Sequence, residues 1–303
     1  MTARLCRFAM RAYPPALYVP LTFLWAAGLT GLLVAAEQPG GRGLSVAGVG
    51  ITAATLFVDM LALRALDDIR DADYDRAHAP GRPLPSGVVS VSDLVTLVAI
   101  GVAALLALNI GRGAALVVLA VQLGYAIGLV TVNTRLAWPA SENTLLQLAI
   151  NIPIQMLLSI YVYVAFLRAG HLPAQPAGLL ATVAVMCALI HAEFARKATR
   201  APADAERTYV HHIGLGGTVA AAVVSAVLAA ALATATVRPW DASSSARGWG
   251  WLALAPLAVP AAAGWSFWRR RLPRWPARGA LSFPVCACAA FLVIGLVGNA
   301  RPH

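Results

Sequence analysis

Charge is scarce in this chain of 303 residues. Charged side chains make up 12% of it, half of the quarter or so found in a typical soluble domain. Lysine occurs once, as Lys197, and only 13 residues are acidic against 23 that are Lys or Arg. Cysteine is limited to Cys6, Cys187, Cys286 and Cys288. The last three lie in apolar runs and read as small hydrophobes. They imply no disulfide framework, and nothing supplies the second ligand pair that a zinc site would need. The two-residue alternation of a barrel strand is absent. These absences exclude an ordinary soluble globule, a disordered chain, a disulfide scaffold and a transmembrane barrel.

Apolar sequence is what the chain has in quantity. Hydrophobic residues reach 59%, with a mean hydropathy of +0.72. A spanning helix needs about 20 mainly apolar residues. Nine stretches qualify, near 16–36, 45–66, 92–110, 113–132, 144–167, 177–195, 212–236, 249–268 and 279–299. The first is longer than the apolar core of a cleaved signal peptide and reads as a span. The expectation is an all-α integral membrane bundle of nine transmembrane helices, forming a single domain over 1–303. Basic residues then set the topology. Seventeen fall at the amino terminus and on the even-to-odd connections, six on the other side. Positive charge accumulates in the cytoplasm, so the amino terminus is expected inside and the carboxyl terminus outside. The net charge of +10 is accounted for by topology and contact with the lipid bilayer; nucleic acid is not an expected partner. Abundant alanine and arginine with one lysine suggest GC-rich DNA, hence a bacterial cell membrane.

Five of the 13 acidic residues crowd into nine positions: Asp67, Asp68, Asp71, Asp73 and Asp75. They stand at the end of the second span. Continued as a helix, the spacing puts Asp68, Asp71 and Asp75 on one face, with Asp73 pointing away. Like charges so placed repel unless a cation neutralises them. An all-oxygen set favours a hard ion such as Mg²⁺, which is commonly completed by substrate phosphates. The run Pro80-Gly81-Arg82-Pro83-Leu84-Pro85-Ser86-Gly87 forbids helix and makes a stiff turn. It holds Arg82 near the acids, where it neutralises carboxylates or reaches a phosphate.

The stretch from Asp67 to Asp75, followed by Arg82-Pro83-Leu84-Pro85-Ser86-Gly87, resembles the first motif of the UbiA superfamily of intramembrane prenyltransferases. Asp67 takes the motif's first position, and Asp68, Asp71 and Asp75 take its three carboxylate positions. Nine spans with the amino terminus inside also agree with that family. The resemblance implies Mg²⁺ as cofactor and a prenyl diphosphate as substrate. It implies Asp67, Asp68, Asp71 and Asp75 as metal ligands, Asp68 and Asp71 as catalytic, and Arg64 and Arg82 as diphosphate contacts.

A second polar group ends the sixth span. Glu193, Arg196 and Lys197 share a helix face, and Arg200, Asp204, Glu206, Arg207 and Tyr209 follow. Glu193 either pairs with Arg196 or Lys197, or belongs to a diphosphate cradle. In the cradle, Arg196, Lys197 and Arg200 bind phosphate oxygens, Lys197 acts in catalysis, and Glu193, Asp204 and Glu206 hold a second Mg²⁺. The superfamily often carries Asp-x-x-x-Asp in this loop. Here the spacing is Asp204-x-Glu206, closer to a branch with Glu-x-x-Arg-Lys before a Pro-x-Asp stretch. That branch includes UbiA-type terpene cyclases. The expected reaction is therefore prenyl transfer to an aromatic or other lipophilic acceptor. The alternative is cyclisation of a prenyl diphosphate, such as farnesyl or geranylgeranyl diphosphate, to a cyclic terpene. A transporter fits less well, because its polar sites would lie near the midplane. Asp59, two turns before Asp67, faces a cavity or is held by a polar neighbour.

Overall fold

The structure is a computed structural model and describes residues 1–37, 45–139, 143–203, 206–241 and 248–299. Among the described residues, eleven α-helices follow one another: α1 (Thr2–Ala12), α2 (Pro15–Glu37), α3 (Val46–Arg70), α4 (Ala72–His78), α5 (Val91–Asn109), α6 (Gly113–Leu136), α7 (Thr144–Gly170), α8 (Pro176–Arg196), α9 (Val210–Val237), α10 (Ala258–Arg269) and α11 (Ala277–Asn299). Among the described residues, nine helical segments are long and apolar enough to cross a membrane. Their bounds agree with the nine stretches read from the sequence to within a few residues. In hydrocarbon every backbone donor and acceptor needs a partner inside the protein, and the helix supplies it locally.

Two departures have local causes. The eighth stretch begins as a 3-10 helix, Trp249–Leu257, and becomes α-helical only as α10. Pro256 and Pro260 remove donors in the turns where the α pattern would start. In α9, Gly214 leaves helical geometry at φ 69° and ψ 169°. That conformation is open to glycine and strained for other residues.

The chain forms two compact units. The first comprises Met1–Phe23 and Gly50–Tyr161. Phe8, Ala65, Leu66, Leu94, Val98, Ala126 and Ile154 are buried together in it, with Val89 from the turn before α5. A capping box starts α5: Ser90 Oγ accepts from Asp93 N–H, and Ser90 N–H donates to Asp93 Oδ2. Arg4 of α1 ion-pairs with the same Asp93 at 3.1 Å.

The second unit comprises Leu24–Val49 and Val162–His303. Small residues set its packing. Ala181, Ala184, Ala188 and Ala195 of α8 and Ala222, Ala226, Ala229 and Ala233 of α9 are fully buried or nearly so. Glycine goes further where α2 meets α11. A Cβ added to Gly295 would lie 2.4 Å from Gly31 Cα, and one added to Gly28 would lie 2.5 Å from Cys288 O. Close backbone approach of this kind is how helices associate when no hydrophobic effect operates between them and lipid.

Gly295→Leu is therefore expected to lower the thermal midpoint in detergent, with an overpacking cost of about 1–3 kcal/mol or more. Gly216→Ala, where an added Cβ meets nothing within 4 Å, is expected to leave the midpoint near wild type. Heating followed by size-exclusion chromatography compares the two.

Candidate functional site

The acidic cluster lies within the first unit. α3 carries the chain to Arg70, and Asp71 stands between α3 and α4 at φ −90° and ψ 8°. The helical hydrogen-bond pattern nevertheless runs on through Asp71 N–H to Asp67 O at 2.9 Å and Asp75 N–H to Asp71 O at 2.8 Å. The continued repeat turns Asp68 and Asp75 inward, each 2% exposed. The Asp73 side chain is exposed and paired with Arg76.

Arginines meet these carboxylates one by one. Arg64 Nη2 lies 2.7 Å from Asp68 Oδ1, an ion pair one helical turn apart. Its alignment is not that of a hydrogen bond, and both Asp68 oxygens are buried without a hydrogen-bond partner. The Arg64 Nε donor is buried and unpartnered as well. Arg70 bridges Asp67 at 3.1 Å and Asp71 at 3.3 Å. Arg82 Nη1 reaches Asp75 Oδ2 at 2.6 Å. The proline-rich turn aims it: Arg82 N–H donates to Ala79 O, Ser86 N–H donates to Arg82 O, and Gly87 takes φ 75°. Burial works against the Arg82 charge, yet the Asp75 hydrogen bond and the charges of Asp75, Asp68 and Asp71 hold its pKa above the usual value.

The second polar group lies within the second unit. Glu193 is fully engaged. Arg196 pairs with Oε2, Lys197 Nζ lies 3.0 Å from Oε1, and the Tyr209 hydroxyl donates to Oε1 at 2.9 Å. Lys197 Nζ also sits 4.8 Å from the centre of the Tyr209 ring. Burial and the neighbouring Glu193 push the Tyr209 hydroxyl pKa well up, so Tyr209 stays a neutral donor. Glu206 is held by both terminal nitrogens of Arg274, at 2.8 and 3.1 Å. Asp204 lies outside the described residues.

Arg200 sits in a structural setting. Its Nε donates to Leu272 O and its Nη2 to Phe267 O, both at 3.1 Å. The guanidinium lies over the rings of Phe267 and Trp268. A cation thus caps a carbonyl at the carboxyl-terminal end of α10, where helices leave acceptors unpaired. Among the described residues, no three His, Cys, Asp or Glu side chains are gathered as a ready metal cage. Tyr209 and Arg274 are the contacts that sequence reasoning did not assign. Neither belongs to a helical repeat with the residue it binds, so spacing gave no signal.

No family model and no curated protein matches the chain. Among solved structures, it is similar to the apo structure of a UbiA homolog from Aeropyrum pernix K1. The TM-score is 0.63 at 16% identity, over 91% of this chain and 96% of that one. The chain has the all-helical fold of that UbiA homolog, and the nine apolar helices among its described residues make it an integral membrane protein.

The geometry sets an expectation for Arg200. Arg200→Ala is expected to cost about 3 kcal/mol of stability, since two charged hydrogen bonds to carbonyls are lost. Arg200→Lys should not restore it, because an ammonium cannot reproduce the fork and ring stacking. Thermal unfolding of both variants measures this. Wild-type stability with lost turnover would return Arg200 to a phosphate-binding role.

Proposed function

We propose that this protein is a Mg²⁺-dependent membrane enzyme that ionises a prenyl diphosphate and passes the prenyl group to an aromatic or other lipophilic acceptor. The observation that supports this reading most is the Asp68 carboxylate. It is buried at the end of an apolar helix, with neither oxygen hydrogen-bonded, beside an arginine whose Nε is also unspent. A buried charge left this incomplete is costly, and it suits a site completed by a ligand.

The fold shared with a UbiA homolog agrees with this chemistry. The oxygen-only donors of the first cluster suit Mg²⁺. Asp67, Asp68, Asp71 and Asp75 would hold the ion, which would supply charge neutralisation for the departing diphosphate. Arg64 and Arg82 each contact a single carboxylate in the structure, and the rest of each guanidinium fork is available to phosphate oxygens. Asp75 orients Arg82, and Arg70 bridges Asp67 and Asp71. The apolar helices hold the isoprenoid tail and keep water from the cation that forms.

In the second unit, Arg196 and Lys197 are proposed as phosphate contacts, with Lys197 oriented by Glu193 and Tyr209. The second acidic set fits a metal less well, because every oxygen of Glu193 and Glu206 already faces a donor. The proposal therefore rests on the first set. The amino terminus and the acidic cluster are proposed to face the cytoplasm of a bacterial cell.

The test is turnover by purified protein of each short prenyl diphosphate with Mg²⁺, with and without a phenolic acceptor. Acceptor-dependent consumption is expected, and EDTA should abolish it until Mg²⁺ is returned. Asp68→Ala should slow it about 100-fold, equivalent to ~3 kcal/mol of transition-state stabilisation. A cyclised product formed without acceptor would replace transfer with terpene cyclisation. Full activity of Asp68→Ala, or indifference to chelation, would overturn the metal-assisted reading.

A further inference from the structure

Asp59 belongs to neither polar group. It lies eight residues before Asp67 on α3, about 12 Å deeper along the helix. Its side chain and that of Gln122 on α6 are both at 0% exposure. Gln122 Nε2 donates to Asp59 Oδ2 at 3.2 Å. The two remaining oxygens, Asp59 Oδ1 and Gln122 Oε1, are buried and without a hydrogen-bond partner. An ionised carboxylate and an amide oxygen only accept, so neither can satisfy the other. Each unsatisfied acceptor costs about 1–3 kcal/mol, and a charged one costs more. Neither side chain exposes any surface, so bulk water does not reach these oxygens.

The titratable group facing Asp59 is Tyr13, which precedes α2. The residue is 1% exposed, its hydroxyl is buried and also unpartnered, and Asp59 acts on it electrostatically. A phenol brings no positive charge to balance a carboxylate.

What is missing from this pair has the size of a proton. We infer that Asp59 is a neutral carboxylic acid at neutral pH whose Oδ1–H donates to Gln122 Oε1, making a two-point acid–amide pair that joins α3 to α6. One proton then satisfies both orphaned oxygens and removes the buried charge. The pair is a positioning device. It fixes the rotation and depth of α3, and so the direction in which Asp68 faces two turns further on. The inference does not depend on what the acidic cluster binds.

Infrared spectroscopy of the full-length protein in lipid nanodiscs tests it without any substrate. The wild type at neutral pH is expected to give the C=O stretching band of a protonated carboxylic acid. Asp59→Asn should lack this band. It should keep wild-type thermal stability, because the asparagine amide supplies an N–H where the acid has its O–H. Asp59→Ala should be less stable. Gln122→Met should retain the band but shift it, as the acid loses its partner. A wild-type spectrum without the band, or a band unchanged in Asp59→Asn, would overturn the inference. Should Asp59→Asn fail to fold, an unshifted band in Gln122→Met would do the same.

Discussion

A carboxylate at the end of an apolar helix must be neutralised where water can do little of the work, and much of the polar architecture follows from that. The cost of an unpaired charge at such a position is several kcal/mol. Arg64 meets Asp68 from one turn away on the same helix, whereas Arg82 comes to Asp75 from within the proline-rich turn. That turn has its own hydrogen bonds and a left-handed Gly87. Its rigidity lets a distant arginine reach a buried acid without a large loss of side-chain freedom. Arginine suits the task better than lysine, since its charge persists and its fork can serve two oxygens. The single lysine sits instead at Glu193, over the face of Tyr209.

The two polar groups differ in how complete they are. Glu193 has an arginine, a lysine and a phenol, and Glu206 has a bidentate arginine. These acids belong to finished hydrogen-bond networks that tie Tyr209 to α8 and Glu206 to Arg274. Thr208 adds to these ties by donating to Lys197 O, and Trp275 N–H by donating to Ala198 O. Asp68 has one off-line ion pair and no hydrogen bond. A buried acid left this incomplete calls for an explanation, and the proposed ligand supplies one.

Hydropathy made the nine spans legible, because hydrocarbon demands long apolar runs and tolerates nothing else. The face shared by Asp68 and Asp75 was legible as well, since the helical repeat survives the break at Asp71. What spacing could not supply was every contact between segments far apart in the chain. Tyr209 on Glu193, Arg274 on Glu206, Arg200 on the end of α10 and Gln122 on Asp59 are decided by packing. The 3-10 entry at Pro256 and Pro260 and the departure at Gly214 were not read from the sequence, where both stretches counted only as apolar runs.

The glycine contact between α2 and α11 bears on how the chain is made. Gly31 and Gly295 touch backbone to backbone, yet some 260 residues of sequence separate them. At a synthesis rate of roughly 5–20 residues per second, α11 emerges roughly 10–50 s after α2 has entered the bilayer. Through that interval the flat glycine face of α2 has no permanent partner. Lipid tails or the insertion machinery must cover it until α11 arrives.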